Sequence, residues 1–305
     1  MKVAHKFFET PMGVLLNLYE KEKTHFPIKA IRHNLKNDLI VSLTSHRPRF
    51  EWLHLTIESL LEQTITPDKI ILWIAQNEMA DLPTNTTSLA SKIEIRATKD
   101  LKSFKKIVPS ILAFPTAYIL ICDDDIYYPR NWLKSLVDGS QENPKAIAAV
   151  AVHRFHATSD HQLAPYCDWS FDVQDNLARL PNRDTLPIGV GGVLYPPNSL
   201  HEDTTNIKLI LELCPRGDDL WLHAMSKMRD YLPVKVGRKL QPIFWPGTQS
   251  NGLFIENMFQ HDDIAIQKLS KRYGTTIFET PANDLLKPTL ERIRHRQGQH
   301  VNALL

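Results

Sequence analysis

Short apolar runs, each about the length of a strand, recur through the first half of the sequence. Runs rich in aliphatic and β-branched residues predict buried strands at 39–43, 70–74, 117–122 and 146–152, and a weaker strand at 93–97. The run at 117–122 is the most continuous of these and stops abruptly at three aspartates.

Amphipathic segments separate these apolar runs. After Pro48, leucine and isoleucine recur at helical spacing, and a second apolar helical face runs from Pro129 to Gly139. Residues 103–112 also carry a helical pattern, which Pro109 is expected to kink or divide into two short helices. Strands that alternate with helices are typical of right-handed crossovers, so we predict an α/β fold with a mostly parallel central sheet flanked by helices.

The alternation ends halfway along the chain. Aromatic and polar loops follow, with a glycine cluster at Gly189, Gly191 and Gly192 and helices expected near 219–229 and 262–273. The glycine spacing is not that of a dinucleotide-binding fingerprint. Glycines here indicate either a close approach of the backbone to a ligand or a structural turn.

Length and pattern together predict how the chain is organised. At roughly 150 residues per domain, 305 residues suffice for about two domains or for one large α/β unit. We expect one continuous unit, with a helical leader at 1–38, a nucleotide-binding half at 39–153 and an irregular, substrate-facing half at 154–305.

Charge and cysteine content narrow the class of protein. The 36 Lys and Arg against 34 Asp and Glu give a net charge of +2, without the basic excess of generic nucleic-acid-binding proteins. The three cysteines are scattered, without the spacing of a zinc site or a disulfide framework, and favour a reducing cytoplasm. No apolar stretch has the pattern of a signal peptide or membrane span, so we expect any membrane contact to be peripheral.

The aspartate triplet Asp123, Asp124 and Asp125 is the sharpest chemical feature. In open α/β sheets, ligands bind beyond the carboxyl ends of the strands, where these carboxylates are expected to lie. Carboxylates there can hold a divalent cation together with substrate phosphates. The alternative is a solvated acidic turn, in which like charges would repel one another without a cation to offset them.

The segment at 118–133 resembles the metal-binding region of GT-A-fold glycosyltransferases, most closely the family-2-like group that bacteria use for surface polysaccharides. The resemblance extends over about 39–153 and implies a GT-A-like, Rossmann-like fold. It also implies that the earlier aspartate of the motif, Asp123, faces the donor ribose, with Asp124 beside it in the donor site. Asp125, helped by Asp123 or Asp124, would hold the Mn²⁺ or Mg²⁺ that bridges the diphosphate.

The same resemblance implies donor contacts in two other segments. Thr44, Ser45 and Arg47 follow the first strand and would lie near the base and ribose, and Asp100 and Lys106 would form the next donor-contacting segment. The alternatives are ordinary ones, because a Ser or Thr after a strand is often a cap and exposed lysines often form a solvated helix face.

A second acidic pair, Asp218 and Asp219, precedes a predicted helix. Helix capping explains one aspartate more easily than two. In the family, an acidic pair at this point supplies the catalytic base, and Gly217 stands where a glutamate often stands. The base is therefore expected to be Asp218 or Asp219, with Asp218 slightly favoured.

Two further features lie toward the C-terminus. By the same resemblance, His261 would be a late metal ligand, and the alternative is that Asp262 simply caps the following helix. A short basic cluster at 292–296 would either be a solvated end or hold the protein near anionic lipid.

These features together predict a metal-dependent glycosyltransferase of the hexosyltransferase type. It would move a sugar, with inversion, from a nucleotide-diphosphate sugar, preferably a UDP-sugar, to a hydroxyl of a glycan or lipid-linked saccharide in surface-polysaccharide biosynthesis. We expect no nucleic-acid partner and a cytoplasmic location, with peripheral contact at the inner face of the membrane. The alternatives are a metal-dependent phosphoesterase and a non-catalytic nucleotide-sugar-binding module on the same fold.

Overall fold

The computed structural model of the protein describes residues 30–159, 162–239, 241–249 and 261–278. Most of the predicted leader at 1–38 and all of the basic cluster at 292–296 lie outside these residues. Within the described ranges, no helix is both long enough and apolar enough to cross a membrane.

The described residues form strands and helices in an alternating order. The strands are β1 (Ile31–Arg32), β2 (Leu39–Thr44), β3 (Ile65–Thr66), β4 (Lys69–Ala75), β5 (Glu94–Thr98), β6 (Tyr118–Ile121), β7 (Ala146–Ala149), β8 (Val152–Arg154), β9 (Thr185–Pro187), β10 (Val193–Tyr195) and β11 (Leu232–Lys235). The α-helices are α1 (Phe50–Leu61), α2 (Thr84–Thr87), α3 (Val108–Ala113), α4 (Trp132–Glu142), α5 (Ile207–Leu213), α6 (Asp218–Lys227) and α7 (Asp262–Tyr273).

A seven-stranded sheet organises the fold, with strand order β11-β7-β10-β6-β2-β4-β5. Strands β2, β4, β5 and β6 pair in parallel, as do β7 and β11. Strand β10 is antiparallel to both of its neighbours, β6 and β7. The predicted fold class, a mostly parallel sheet flanked by helices, is confirmed.

Strand β2 shows how the sheet buries both faces. Leu39, Val41 and Leu43 pack on one side with α1 and α4, whereas Ile40 packs on the other side with α6 and α7. All four side chains are at most 1% exposed. Burying an aliphatic side chain contributes about 1.5–3 kcal/mol, which is why the central strands β2, β4 and β6 are mostly apolar.

Residues 103–112 and 146–152 are each divided into two elements in the structure. The helical pattern at 103–112 forms a 3₁₀ helix, Lys102–Lys106, followed by α3, with Pro109 in the first turn where its missing N–H is tolerated. The predicted single strand at 146–152 is wrong. The chain leaves the central sheet after Ala149, and Val152 begins β8, which pairs with β9 in a separate two-stranded sheet.

Candidate active site

Hydrogen bonds to its backbone carbonyls fix the conformation of the loop after β6. Thr56 of α1 donates its hydroxyl to the carbonyl oxygens of Asp124 (2.9 Å) and Ile126 (3.0 Å). From the other side, the Trp245 amide donates to the carbonyl oxygen of Asp125 at 2.9 Å. The backbone of the aspartate triplet is therefore fixed at the carboxyl edge of the sheet. The alternative of a solvated acidic turn does not describe it.

Asp124 and Asp125 are buried and share one cation, Arg49. The Arg49 guanidinium lies 2.8 Å from Asp124 Oδ1 and 3.2 Å from Asp125 Oδ2. Ser45 donates its hydroxyl to the other oxygen of Asp124, and Gln249 Nε2 donates to Asp125 Oδ2 at 2.6 Å. Burial, followed by the charge of Asp124, raises the pKa of Asp125 to about 8. These two carboxylates are thus already engaged by protein donors.

Asp123 pairs with a different cation, Lys106, which also contacts the second acidic pair, Asp218 and Asp219. Lys106 Nζ lies 2.8 Å from Asp123 Oδ1 and 3.1 Å from Asp218 Oδ2. Asp219 joins the same cluster, because its Oδ1 accepts a hydrogen bond of 3.0 Å from the Gly189 amide. The two acidic segments and the glycine cluster, distant in the sequence, therefore converge on one lysine.

The antiparallel direction of β10 explains why the glycines lie here. Val193 pairs with Ile121, so the residues before β10 lie at the same sheet edge as the residues after β6. A Cβ at Gly189 would lie 3.1 Å from both Lys106 Nζ and Asp219 Oδ1. Position 189 therefore leaves little room for a side chain between these two charged groups.

The charges in this cluster shift one another's pKa values. Burial alone would lower the pKa of Lys106, but the carboxylates of Asp123 and Asp218 outweigh it and hold that pKa well above its usual value. Burial would also raise the pKa of Asp123, yet Lys106 brings it below the usual aspartate value. For Asp219, burial and next the charge of Asp218 raise the pKa well above that value. Asp219 is therefore the more basic carboxylate, and Asp123 stays ionised.

Helix capping does not account for the second acidic pair. Gly217 is the N-cap of α6, and Asp218 and Asp219 are its first two helical residues. Asp219 instead bonds to the backbone of Gly189, far from its own helix in the sequence. The positions of both aspartates next to Lys106 thus reflect contacts between separate elements.

The predicted contacts after β2 divide between structural and exposed positions. The Thr44 hydroxyl donates to the Trp73 carbonyl of neighbouring β4 at 2.7 Å, so it serves the sheet. Arg47 is largely exposed and pairs with the exposed Asp81. Of the three predicted residues in this segment, Ser45 is the one that contacts the aspartate triplet.

Asp100 lies at the rim of the site, next to a second buried lysine. Its Oδ1 is 3.4 Å from Lys105 Nζ, and Lys105 also donates to the Ser45 carbonyl at 3.3 Å. Lys105 is only 3% exposed. Two consecutive buried lysines thus reach different parts of the same edge, Lys105 toward β2 and Lys106 toward the acidic cluster.

His261 lines a cavity beside Gly217, the residue before the second acidic pair. With Cys214, Arg216, Gly217 and Asp262 among its neighbours, it lines a cavity of about 260 Å³ between α5, α6 and α7. His261 is the N-cap residue of α7 without a side-chain capping bond, and Asp262 is the first helical residue.

The predicted metal ligands do not fit a divalent ion as the structure arranges them. Asp125 is engaged by Arg49, Asp123 by Lys106, and His261 lines the cavity beside Gly217. Across the described ranges, no group of three or more His, Cys, Asp or Glu residues is placed to hold a metal ion.

Sequence reasoning missed Arg49 and Gln249. Three adjacent carboxylates are stabilised by nearby cations, so the aspartate triplet itself predicts a basic partner. Arg49, two residues after Arg47, was a candidate for that partner. Gln249 carries no such signal. It is one of many polar residues, and its bond to Asp125 depends on a loop that returns to this edge of the sheet.

Comparison with known proteins gives distant structural likenesses. No protein-family model and no curated protein matches the sequence. A crystal structure of 4-diphosphocytidyl-2C-methyl-D-erythritol synthase is similar with a TM-score of 0.43 and 10% identity, covering 72% of this chain and 98% of that one. A mannosyltransferase from Pyrobaculum calidifontis in complex with GDP-Man and Mn²⁺ gives a TM-score of 0.43 and 11% identity, covering 92% and 76%.

Proposed function

We propose that the protein is a glycosyltransferase that moves a sugar from a nucleotide-diphosphate sugar, preferably a UDP-sugar, to a hydroxyl of a glycan or lipid-linked saccharide. One observation carries the proposal: Asp123, Asp218 and Asp219 converge around Lys106 at the carboxyl edge of a mostly parallel sheet. Ligands bind at this edge in open α/β folds. Residues 39–153 would bind the donor, and residues 154–305 would complete the acceptor side.

Asp219 is the proposed catalytic base. The attacking sugar hydroxyl needs a proton acceptor within hydrogen-bond reach, an effect worth about 10²–10⁴-fold in rate. Asp219 is half-buried, and the Gly189 amide orients its carboxylate by a hydrogen bond to Oδ1. Asp218 is 6% exposed and paired with Lys106, so its carboxylate is less available to an acceptor.

The reaction would be a single displacement. The acceptor oxygen attacks the anomeric carbon while the bond to the diphosphate oxygen breaks, and Asp219 receives the hydroxyl proton. The anomeric configuration is thereby inverted. The predicted ligands of Mn²⁺ or Mg²⁺, Asp125, Asp123 and His261, are not arranged around one ion. The steps described here therefore involve side chains of the protein alone.

The biological setting is part of the proposal. The proposed role is in surface-polysaccharide biosynthesis, in the cytoplasm and in peripheral contact with the inner face of the membrane. The cysteines support the reducing compartment in this proposal and not the pathway or the membrane contact. Cys122, Cys167 and Cys214 are all free, as is usual in a reducing compartment.

Transfer assays with paired aspartate variants test the function. The full chain is incubated with UDP-, GDP- and CDP-sugars and saccharide acceptors, and products are identified by mass spectrometry. Asp219→Asn should bind the nucleotide normally yet transfer sugar about 10²–10⁴-fold more slowly. Full transfer activity in Asp219→Asn would refute the base assignment.

Two other outcomes would overturn the function itself. Inorganic phosphate released from a nucleotide, with no sugar transferred, would identify a phosphoesterase. Nucleotide binding without any product would identify a non-catalytic binding module.

A further inference from the structure

The Lys106 ammonium occupies the centre of the acidic cluster. Its side chain is 5% exposed, and it pairs with Asp123 at 2.8 Å and Asp218 at 3.1 Å. The Asp219 carboxylate is close enough that one methyl group at Gly189 would lie 3.1 Å from both charged groups. One positive charge therefore serves carboxylates from two separate segments.

A divalent ion would compete with this ammonium for the same place. Mg²⁺ binds carboxylate oxygens at about 2.0–2.1 Å, so an ion shared by Asp123 and Asp218 would lie between them, where Nζ now lies. The other two carboxylates of the triplet are already engaged, because Arg49 pairs with both Asp124 and Asp125, and Ser45 and Gln249 donate hydrogen bonds to them.

Lys106 also retains hydrogen-bonding capacity. An ammonium has three N–H donors. Asp123 accepts one of them, whereas Asp218 Oδ2 contacts the ammonium as an ion pair without hydrogen-bond geometry. Asp123 is 29% exposed, so the cluster opens toward solvent on that side. An anionic oxygen bound on that side could accept a hydrogen bond from the positively charged Lys106 ammonium.

We infer that Lys106 is itself the cation that stabilises the leaving diphosphate, in the place that a divalent metal ion would otherwise take. The inference rests on the proposed transfer reaction. As the bond from the anomeric carbon to the diphosphate breaks, its electron pair stays with the diphosphate oxygen. Lys106 keeps its three protons and donates a hydrogen bond to that oxygen, while the acceptor proton goes to Asp219.

The first test measures Mn²⁺ binding alone by isothermal titration calorimetry. Lys106→Met frees the carboxylates of Asp123 and Asp218. Because the competing ammonium charge is removed from between them, Mn²⁺ should bind more than about tenfold more tightly than in the wild type. Lys105→Met is the matched control, because it removes a neighbouring buried ammonium whose partners are Asp100 and the Ser45 carbonyl. Equal Mn²⁺ affinity in the wild type and Lys106→Met would overturn the inference.

The second test compares the wild type with the conservative variant Lys106→Arg, and this comparison does not depend on the folding of Lys106→Met. UDP, GDP and CDP are titrated in EDTA and then in Mn²⁺. The inference predicts that one nucleotide binds equally in both conditions and that Lys106→Arg keeps its affinity within a few fold. Lys106→Met, where folded, should lose about 10- to 100-fold.

The outcomes separate this inference from the proposed function. Nucleotide binding that appears only with Mn²⁺ would refute the role of Lys106 and restore the predicted metal site, while leaving the transferase proposal intact. Failure of all three nucleotides to bind in either condition would refute the donor site, and both proposals with it.

Discussion

Gly189 offers a single-atom test of how closely the acidic cluster is packed. The substitution Gly189→Ala places a methyl carbon 3.1 Å from Asp219 Oδ1 and 3.1 Å from Lys106 Nζ. Ordinary van der Waals contact for such a carbon begins at 3.4 Å, so each neighbour must move by a few tenths of an ångström. Both neighbours are ends of flexible side chains, and Gly189 does not have a positive φ.

The expected magnitudes follow from this geometry. The free energy of unfolding should change by less than about 1 kcal/mol, because the backbone is not strained and alanine restricts the unfolded chain more than glycine does. Catalysis is more sensitive to position, since a displacement of about 1 Å costs about 10²-fold in rate. A shift of a few tenths of an ångström in Asp219 and Lys106 should therefore slow sugar transfer by about tenfold.

Gly139→Ala is the matched control on the opposite face of the sheet. Gly139 lies in α4, and a Cβ there would lie 2.1 Å from Val236 Cγ1. Such overpacking should cost about 1–3 kcal/mol in urea unfolding while leaving the transfer rate of the folded protein unchanged. Gly189→Ala with a full transfer rate would refute the close packing of the cluster. A large loss of stability in Gly189→Ala would show that the backbone itself is strained.

The remaining predictions concern buried charge. Arg49→Met leaves the buried carboxylates of Asp124 and Asp125 without their cation and should lower the free energy of unfolding in urea by about 3 kcal/mol. Arg47→Ala breaks an exposed pair and should change that free energy by less than about 1 kcal/mol. Equal losses in the two variants would contradict the assignment of Arg49. Burial lowers the pKa of His153 to about 4, below the ordinary 6.5 of the unfolded chain, so the unfolded state binds the proton first. Stability should fall by about 3 kcal/mol as pH drops from 6.5 to 4, and His153→Asn should lose this part of the pH slope; an unchanged slope would show that His153 is not the group responsible.

Burial of the sheet on both faces made most of the central strands predictable. A strand covered on both sides is mostly apolar, and β2, β4 and β6 begin and end within one residue of the predicted runs. The edge strand β5 is partly exposed and carries Glu94 and Arg96, which is why its pattern is weaker. Strands β10 and β11 were not predicted. Strand β10 has only three residues and directly follows the glycine cluster, and β11 contains Pro233, which is unusual within a strand.

The two acidic segments were predictable because carboxylates at the ends of strands and helices stand out from the apolar runs beside them. Their partners were not. Lys106 was predicted as a donor contact, but its position among Asp123, Asp218 and Asp219 depends on contacts between segments far apart in the sequence. The sequence pattern also cannot show that Asp123 turns away from Asp124 and Asp125 to a different cation.

Release of nucleoside diphosphate from a nucleotide-diphosphate sugar is the direct measure of sugar transfer by this protein. Wild-type protein and Asp219→Asn are each given the same UDP-, GDP- and CDP-sugars with a saccharide acceptor, and the nucleoside diphosphate and glycosylated acceptor are quantified together by mass spectrometry. We expect equimolar amounts of both from one donor in the wild type, and about 10²–10⁴-fold less from Asp219→Asn. No glycosylated acceptor from any donor, or equal amounts from the two proteins, would contradict this expectation.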